Sequence, residues 1–229
     1  MLDNWLVKSK LKDYVELFVK KTLFGRITPN QLTLLALVVG ILSAICIYLS
    51  AQLTWFILLI ALSIVFMVLS FLLDAFDGAL ARLGEPSEFG GILDMFCDRL
   101  VEVAILIALI STEPSFLMWP GIFSLGAIIL CITMFLIVGG SVDVEDLGET
   151  QKVIYYRRGL MERSETLLFL IIITLLIDFR WILLYVFAFL VFLTALLRLW
   201  DAYKILISFN CPNNSEKVLT SKKSDMQKS

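Results

Sequence analysis

Long apolar runs alternate with short polar breaks along most of the chain. Six runs approach the ~20 residues that a helix needs to cross about 30 Å of hydrocarbon. They are residues 31–51, 53–74, 91–112, 117–138, 164–179 and 181–203. The fifth is short, and the turn after it (Asp178, Phe179, Arg180) is tight, which predicts a helical hairpin near one membrane surface. Ahead of the first run, residues 4–22 place Val7, Leu11, Tyr14, Val15 and Phe18 at helical spacing on one face, with lysines and acids on the other. That pattern predicts an interfacial helix, although a plain positively charged anchor shares it. Thr28-Pro29-Asn30 should end this helix, because proline disfavours helical backbone in the residue before it. From about Pro212 the chain is polar, rich in serine and lysine, and expected to be disordered. The expected fold class is all-α: a polytopic membrane protein with six transmembrane helices and an N-terminal interfacial amphipathic helix. Its expected divisions are the interfacial helix at 1–27, the six-span domain at 28–207 and a polar cytoplasmic tail at 208–229.

Composition strengthens the membrane assignment. Hydrophobic residues make up 59% of the chain and charged residues 17%, against roughly half and a quarter in a soluble domain. The mean hydropathy is +0.90. A soluble globular enzyme, a disordered chain and a collagen-like fibre are excluded. A net charge of −2 gives no reason to expect a polyanion, and so no nucleic acid, as partner. The cysteines (Cys46, Cys97, Cys131, Cys211) stand far apart, without metal-ligand or disulfide spacing. There is no histidine, so a metal site or general base must be built from carboxylates. The first 25 residues are charged throughout and lack the pattern of a cleavable signal peptide.

Basic residues set the expected orientation. Lys8, Lys10, Lys12, Lys20, Lys21 and Arg26 precede the first span; Lys152, Arg157, Arg158 and Arg163 follow the fourth; Lys204, Lys217, Lys222, Lys223 and Lys228 follow the sixth. The opposite side carries Arg180. The positive-inside rule then predicts an integral protein of an inner, cytoplasmic-type membrane with both termini on the cytoplasmic side. Trp119, Trp181 and Trp200 lie near span ends, as interfacial anchors do.

The stretch that carries chemistry is residues 74–98. Asp74 and Asp77 are i,i+3, and Asp94 and Asp98 are i,i+4, so each pair shares a helix face. The two helices are joined by a short loop and are expected to be antiparallel neighbours, bringing four carboxylates to one point at the cytoplasmic end. An aspartate inside a bilayer costs several kcal/mol and marks a cavity or a partner. Arg82 and Arg99 are the nearby cations, so a hard divalent ion, magnesium or manganese, is the natural remedy for the repulsion. Gly78, Ala81 and Gly90 each sit one turn from a carboxylate and leave room for a ligand; tight helix packing through small residues is the plainer alternative.

The pattern Asp-x2-Asp-Gly-x2-Ala-Arg, a seven-residue gap, then Gly-x3-Asp-x3-Asp resembles the signature of the CDP-alcohol phosphotransferases. Asp74, Asp77, Gly78, Ala81, Arg82, Gly90, Asp94 and Asp98 occupy its fixed positions, and Thr28-Pro29-Asn30-x2-Thr33 and the six-span layout are similar too. The resemblance implies an enzyme that transfers the phosphatidyl group of a CDP-linked lipid (CDP-diacylglycerol type) to a small polar alcohol and releases CMP. It implies two Mg2+ or Mn2+ ions held by Asp74, Asp77, Asp94 and Asp98, with Asp98 also the catalytic base. It further implies that Asn30, Thr33, Asp74, Gly78, Ala81, Arg82, Ser87 and Gly90 bind the CDP-lipid, with Arg82 at the phosphates, and that the protein is a homodimer in the lipid bilayer.

The acceptor is less defined. Lys152, Arg157, Arg158 and Arg163 could bind a phosphorylated alcohol such as inositol phosphate or glycerol phosphate, or serve only the positive-inside rule. Gly159-Leu160-Met161-Glu162-Arg163-Ser164-Glu165 loosely resembles the inositol-phosphate branch, whereas Gly139-Gly140-Ser141-Val142-Asp143 departs from it. Glu102, one turn deeper than Asp98, either lines the acceptor cavity or pairs with a buried donor. Two rival functions stay open: transfer of a phospho-headgroup from a CDP-alcohol to a lipid hydroxyl, and a divalent-cation transporter. The second leaves Arg82 and the glycines in register unexplained.

Overall fold

The computed structural model describes residues 10–22, 25, 27–84, 87–141 and 163–210. Among them the secondary structure is helical throughout: α1 (Lys10–Thr22), α2 (Pro29–Ser50), α3 (Phe56–Leu83), α4 (Glu88–Thr112), α5 (Pro114–Ser141), α6 (Arg163–Leu175), a 3-10 turn at Ile177–Phe179, and α7 (Arg180–Asn210). Residues 1–9, the acidic and basic stretch 142–162 and the tail from 211 lie outside the described residues.

Each predicted span has a helix, but they are not alike. Four segments are long and apolar enough to cross a membrane: α2, α3, Pro114–Met134 within α5, and Ile177–Lys204, which contains most of α7. The protein is therefore an integral membrane protein, with four such helices among the described residues. The other two differ for separate reasons. α4 has 25 residues but carries Asp94, Asp98, Arg99 and Glu102. α6 has only 13 residues, about 20 Å at 1.5 Å per residue, which falls short of the ~30 Å core.

Thr28-Pro29 starts a helix as well as separating two. Thr28 Oγ1 accepts from the Gln31 amide at 3.4 Å, and Gln31 Oε1 accepts from the Thr28 amide at 3.1 Å. This is a capping box with proline at the first turn, where its missing N–H costs nothing.

α2 is the centre of one half of the bundle. It packs chiefly on α3 and α4, while α5 pairs with α7. The core threads both halves through Ala44, Ile47, Met67, Ile105, Leu109, Ile128, Leu184 and Phe187, all buried. α3 and α4 were expected to be close neighbours. Instead each rests on α2, with little backbone contact between them. The short α6 packs against α3 and α4 from elsewhere, without packing closely on α2.

α1 is docked. Val19 is fully buried against Ala79 and Leu80 of α3, with Val15, Phe76 and Leu83 around them, and the Phe18 and Phe76 ring centroids are 5.7 Å apart. Leu17 and Phe18 remain exposed, as do Lys20 and Lys21. The docked face thus joins Val15 of the predicted stripe to Val19, which lay outside it. At the other end of the bundle, Arg180 is 2% exposed. Its guanidinium donates to the carbonyls of Ile173 (3.3 Å) and Thr174 (3.1 Å) and to Thr112 Oγ1 (3.3 Å). It satisfies carbonyls that the short α6 leaves open at its C-terminal end.

Gly40 fixes how closely α2 approaches α4. A Cβ there would lie 2.6 Å and 2.7 Å from the two γ-carbons of Val101 and 3.1 Å from Ser70 Oγ. Valine is stiff at its branch and cannot swing away. Gly40→Ala is therefore expected to destabilise the detergent-solubilised protein by about 1–3 kcal/mol. Gly126→Ala, with nothing within 4 Å of its added carbon, should be silent. Thermal unfolding read by tryptophan fluorescence checks both, and Val101→Ala should rescue Gly40→Ala.

Candidate active site

The end of the bundle where α2 and α4 begin and α3 finishes gathers most of the residues singled out from the sequence. Asp74, Asp94 and Asp98, all half-buried, each offer a carboxylate oxygen, and these atoms lie within 4.8 Å of one another. Helical spacing delivers Asp94 and Asp98 from one face of α4, and α3 delivers Asp74 across the gap. Because α2 holds α3 and α4 apart, the carboxylates meet over a cleft instead of a packed seam.

Asp77 stands outside that group of three. It is buried, and its Oδ2 accepts from Thr33 Oγ1 at 2.8 Å. Thr33 also donates to its own helix at Pro29 O, 3.1 Å away. Two expected site residues are thus joined to each other, and the bond ties α2 to α3 at the level of the cluster.

Three more come together nearby. The Ser87 hydroxyl caps α4 by accepting from the Gly90 amide at 3.0 Å. A Cβ on Gly90 would lie 2.8 Å from Ser87 Oγ and 3.0 Å from Asn30 Oδ1. Only glycine lets α2 and α4 start this close together, so the α4 glycine, the loop serine and the α2 asparagine form one corner. Gly78 faces open space apart from Arg82, whose Nη1 would be 3.6 Å from an added Cβ. Arg82 lies over Gly78, and its Nε donates to Glu16 Oε1 of α1 at 3.3 Å. The residue expected at the phosphates is held by the N-terminal helix, a partner that nothing in the local sequence announces. Ala81 is half-buried on the same turn of α3.

Below the carboxylates a cleft runs into the bundle. Thr33, Ser70, Asp74, Asp98 and Glu102 supply its polar lining, and Ala36, Phe71, Cys97, Val101, Ile105 and Leu167 the rest. Its free volume is about 30 Å3, enough for a water or an ion. Ser70 donates to Ala36 O at 2.7 Å. Glu102 is buried: it pairs with Arg99 and accepts from Thr166 Oγ1 of α6 at 2.8 Å. Glu102 thus has the buried donor that was one of its two alternatives, and it also lines this cleft. Its spacing from Asp98 was the available signal; Ser70 and Thr166 gave none, being ordinary span residues 34 and 64 positions from their partners. Lys152, Arg157 and Arg158 lie outside the described residues, and Arg163 is placed only as the first residue of α6. Arg198 of α7 donates to Cys131 O at 3.3 Å.

The donor set fits a hard divalent cation: clustered carboxylate oxygens, with no soft ligand among them. Fold and site define a helical membrane protein with an acidic centre at one end of its bundle. The chain belongs to the CDP-alcohol phosphatidyltransferase family, whose model matches residues 26–200. It is 31% identical over 185 residues to the inner membrane protein YnjF of Escherichia coli, covering 80% of this chain and 86% of that one. It is 37% identical over 101 residues to the archaetidylinositol phosphate synthase of Pyrococcus horikoshii, which is 44% of this chain and spans half of that relative's length. The fold is similar to the crystal structure of Mycobacterium tuberculosis phosphatidylinositol phosphate synthase (PgsA1) with CDP-DAG bound. The TM-score is 0.64 at 18% identity, over 82% of this chain and 93% of that one.

Thr33→Val keeps the shape and removes one donor from buried Asp77. It is expected to cost about 1–3 kcal/mol, and Thr33→Ser to recover most of it. Chemical unfolding in detergent measures both, and equal stability of the valine and serine variants would sink the idea.

Proposed function

We propose that this protein transfers a phosphatidyl-type group from a CDP-linked lipid to a small polar alcohol and releases CMP. The carrying observation is the convergence of Asp74, Asp94 and Asp98 within 4.8 Å at one end of an apolar bundle. Membership of the family supports it, and relatives named for inositol phosphate products favour a phosphorylated polyol as acceptor.

In this reading Asp74, Asp94 and Asp98 hold Mg2+ or Mn2+, with Asp77 steadied by Thr33 beside them. Bound there, the ions would neutralise the pyrophosphate and stabilise the attacking and leaving oxygens. Asp98 takes the proton of the acceptor hydroxyl. The hydroxyl oxygen bonds to the lipid-side phosphorus as the bond to the bridging oxygen breaks, and CMP leaves with that oxygen. Asn30, Ser87 and Gly90 form the corner for the nucleotide end, and Gly78 leaves open ground beside Arg82 for phosphate oxygens. Glu16 holds the Arg82 fork until the phosphates compete for it. Lys152, Arg157, Arg158 and Arg163 serve the anionic acceptor.

Six membrane crossings, a homodimer and cytoplasmic placement of both termini and the site belong to the same reading. Lys20, Lys21, Arg82 and Arg99 near the cluster end, against Arg180 at the other, support that orientation. A membrane location suits the chemistry: the headgroup meets water at the boundary while the tails stay in hydrocarbon.

The test is CMP release from CDP-diacylglycerol by the purified protein with Mg2+ or Mn2+. The acceptors are inositol phosphate, glycerol phosphate, inositol, serine and none. Acceptor-dependent release is expected, abolished by a chelator, restored by either ion and lowered about 100-fold or more by Asp98→Asn. CMP from CDP-choline plus diacylglycerol, with none from CDP-diacylglycerol, would reverse the direction of transfer. Metal flux through liposomes without CMP release would favour the transporter.

A further inference from the structure

α1 ends before the residues matched by the family model begin: it spans Lys10–Thr22, and the match starts at residue 26. It is nonetheless packed on the end of α3 that carries the site. Val19, with no exposed surface, sits on Ala79 and Leu80, with Val15, Phe76 and Leu83 around them. Those residues of α3 interleave with Asp77, Gly78 and Arg82 along its last turns. Apolar docking therefore fixes which side of α1 looks along the end of α3, and Glu16 lies on that side.

Glu16 Oε1 accepts from Arg82 Nε at 3.3 Å. The same guanidinium lies over Gly78, with Nη1 3.6 Å from the position of an added Cβ. Gly78 is one turn from Asp74, so the guanidinium stands between the α1 carboxylate and the open ground beside the cluster. The Arg82 and Glu16 side chains are 53% and 30% exposed. Such a pair is screened by water and contributes little to stability, which makes it easy to exchange. Two effects of Glu16 on an incoming phosphate oppose each other. Holding Arg82 saves some side-chain freedom, but one hydrogen bond to a half-exposed partner saves little. Against this, the carboxylate neutralises the cation that phosphate oxygens seek. It also occupies Nε, and with it one of the edges by which the planar fork meets a phosphate through two parallel bonds. The second effect is the larger.

We propose that Glu16 is a built-in competitor for Arg82: the α1 carboxylate occupies the guanidinium in the empty site, and the pyrophosphate of the CDP-linked lipid displaces it. Glu16 thereby sets the affinity for the nucleotide-bearing substrate. It is a positioning residue that acts through Arg82, and the inference rests on the transfer reading above, which puts Arg82 at the phosphates. The exchange keeps an anion on Arg82 both before and after binding, at the boundary where the bundle leaves the hydrocarbon. It leaves the reacting bonds and the Asp98 proton untouched. α1 is on this account part of the binding site, through a residue that precedes the matched family region.

Two readouts test the exchange in the full-length protein. The first is the KM for CDP-diacylglycerol with the best acceptor and Mg2+. Glu16→Gln keeps the shape and removes the charge, and is expected to lower KM about threefold to fivefold with kcat little altered. The second needs no catalysis: the affinity for CMP with Mg2+, measured by titration calorimetry, should tighten by about the same factor. Glu16→Ala serves if the glutamine variant is not monodisperse. Both measurements are repeated in an Arg82→Gln background, where Glu16→Gln should move neither by more than about twofold. An unchanged KM or CMP affinity overturns the proposal. So does weaker binding, which would make Glu16 a support for Arg82 and not its competitor. An equal gain without Arg82 overturns it too, since the acid would then act without the guanidinium. Absence of CMP release from the wild type with every acceptor counts against the transfer reading instead. The CMP affinity alone then decides the exchange, and a wild type that binds no CMP overturns it.

Discussion

Charge has to be kept at the end of a bundle that is otherwise solvated by lipid. A carboxylate in such surroundings requires a donor, a cation or an opening to water, and the organisation of the cluster end follows from supplying them. Asp77 takes the Thr33 hydroxyl. Glu102 takes Arg99 and Thr166. Arg82 at the end of α3 takes Glu16 from α1. Asp74, Asp94 and Asp98 each bring a carboxylate oxygen within 4.8 Å of the others, a donor set that suits a hard cation. α2 packs on both helices that bear them, and the cleft lies between α3 and α4.

The small residues matter through this division of labour. Gly40 lets α2 approach α4 until its backbone meets Val101 and Ser70 at van der Waals limits. Gly90 lets the same two helices begin side by side with Asn30 and Ser87 between them. α2, apolar and long, thus sets the spacing of the two helices. Gly78 is different: it faces open ground beside Arg82, so its small size leaves room and does not make a contact. The sequence pattern treats Gly78 and Gly90 alike, although Gly90 packs and Gly78 vacates.

What the sequence reveals depends on separation along the chain. The aspartate pairs were legible because i,i+3 and i,i+4 spacing is a local property of a helix. The apolar runs were legible because hydrocarbon thickness imposes a length. The neighbour relation was not: a short α3–α4 loop suggested contact, whereas shared packing on α2 keeps the two apart. α4 read as an ordinary span although five charged residues lie within it, and α6 reads as a span only if its 13 residues are extended through the 3-10 turn. The partners of the site's polar residues were invisible for the same reason. Glu16 meets Arg82 across 66 positions, Thr33 meets Asp77 across 44 and Thr166 meets Glu102 across 64. Each of these side chains is unexceptional in its own helix.

The two polar ties of α6 suggest why a membrane protein tolerates a helix too short for its bilayer. Apolar packing cannot by itself fix such a helix, since lipid tails compete on equal terms with apolar side chains and association relies on close packing and interhelical hydrogen bonds. Polar ties at both ends provide direction that dispersion does not. Arg180 is an expensive residue to bury, but five guanidinium donors in a planar fork can satisfy several carbonyls at once, and the end of a short helix presents them. Thr166 and Glu102 perform the converse task at the cluster end, where the protein side must supply an acceptor. α6 is tied by polar groups at its ends and seated between them by Leu170 and Ile173, both fully buried in the core.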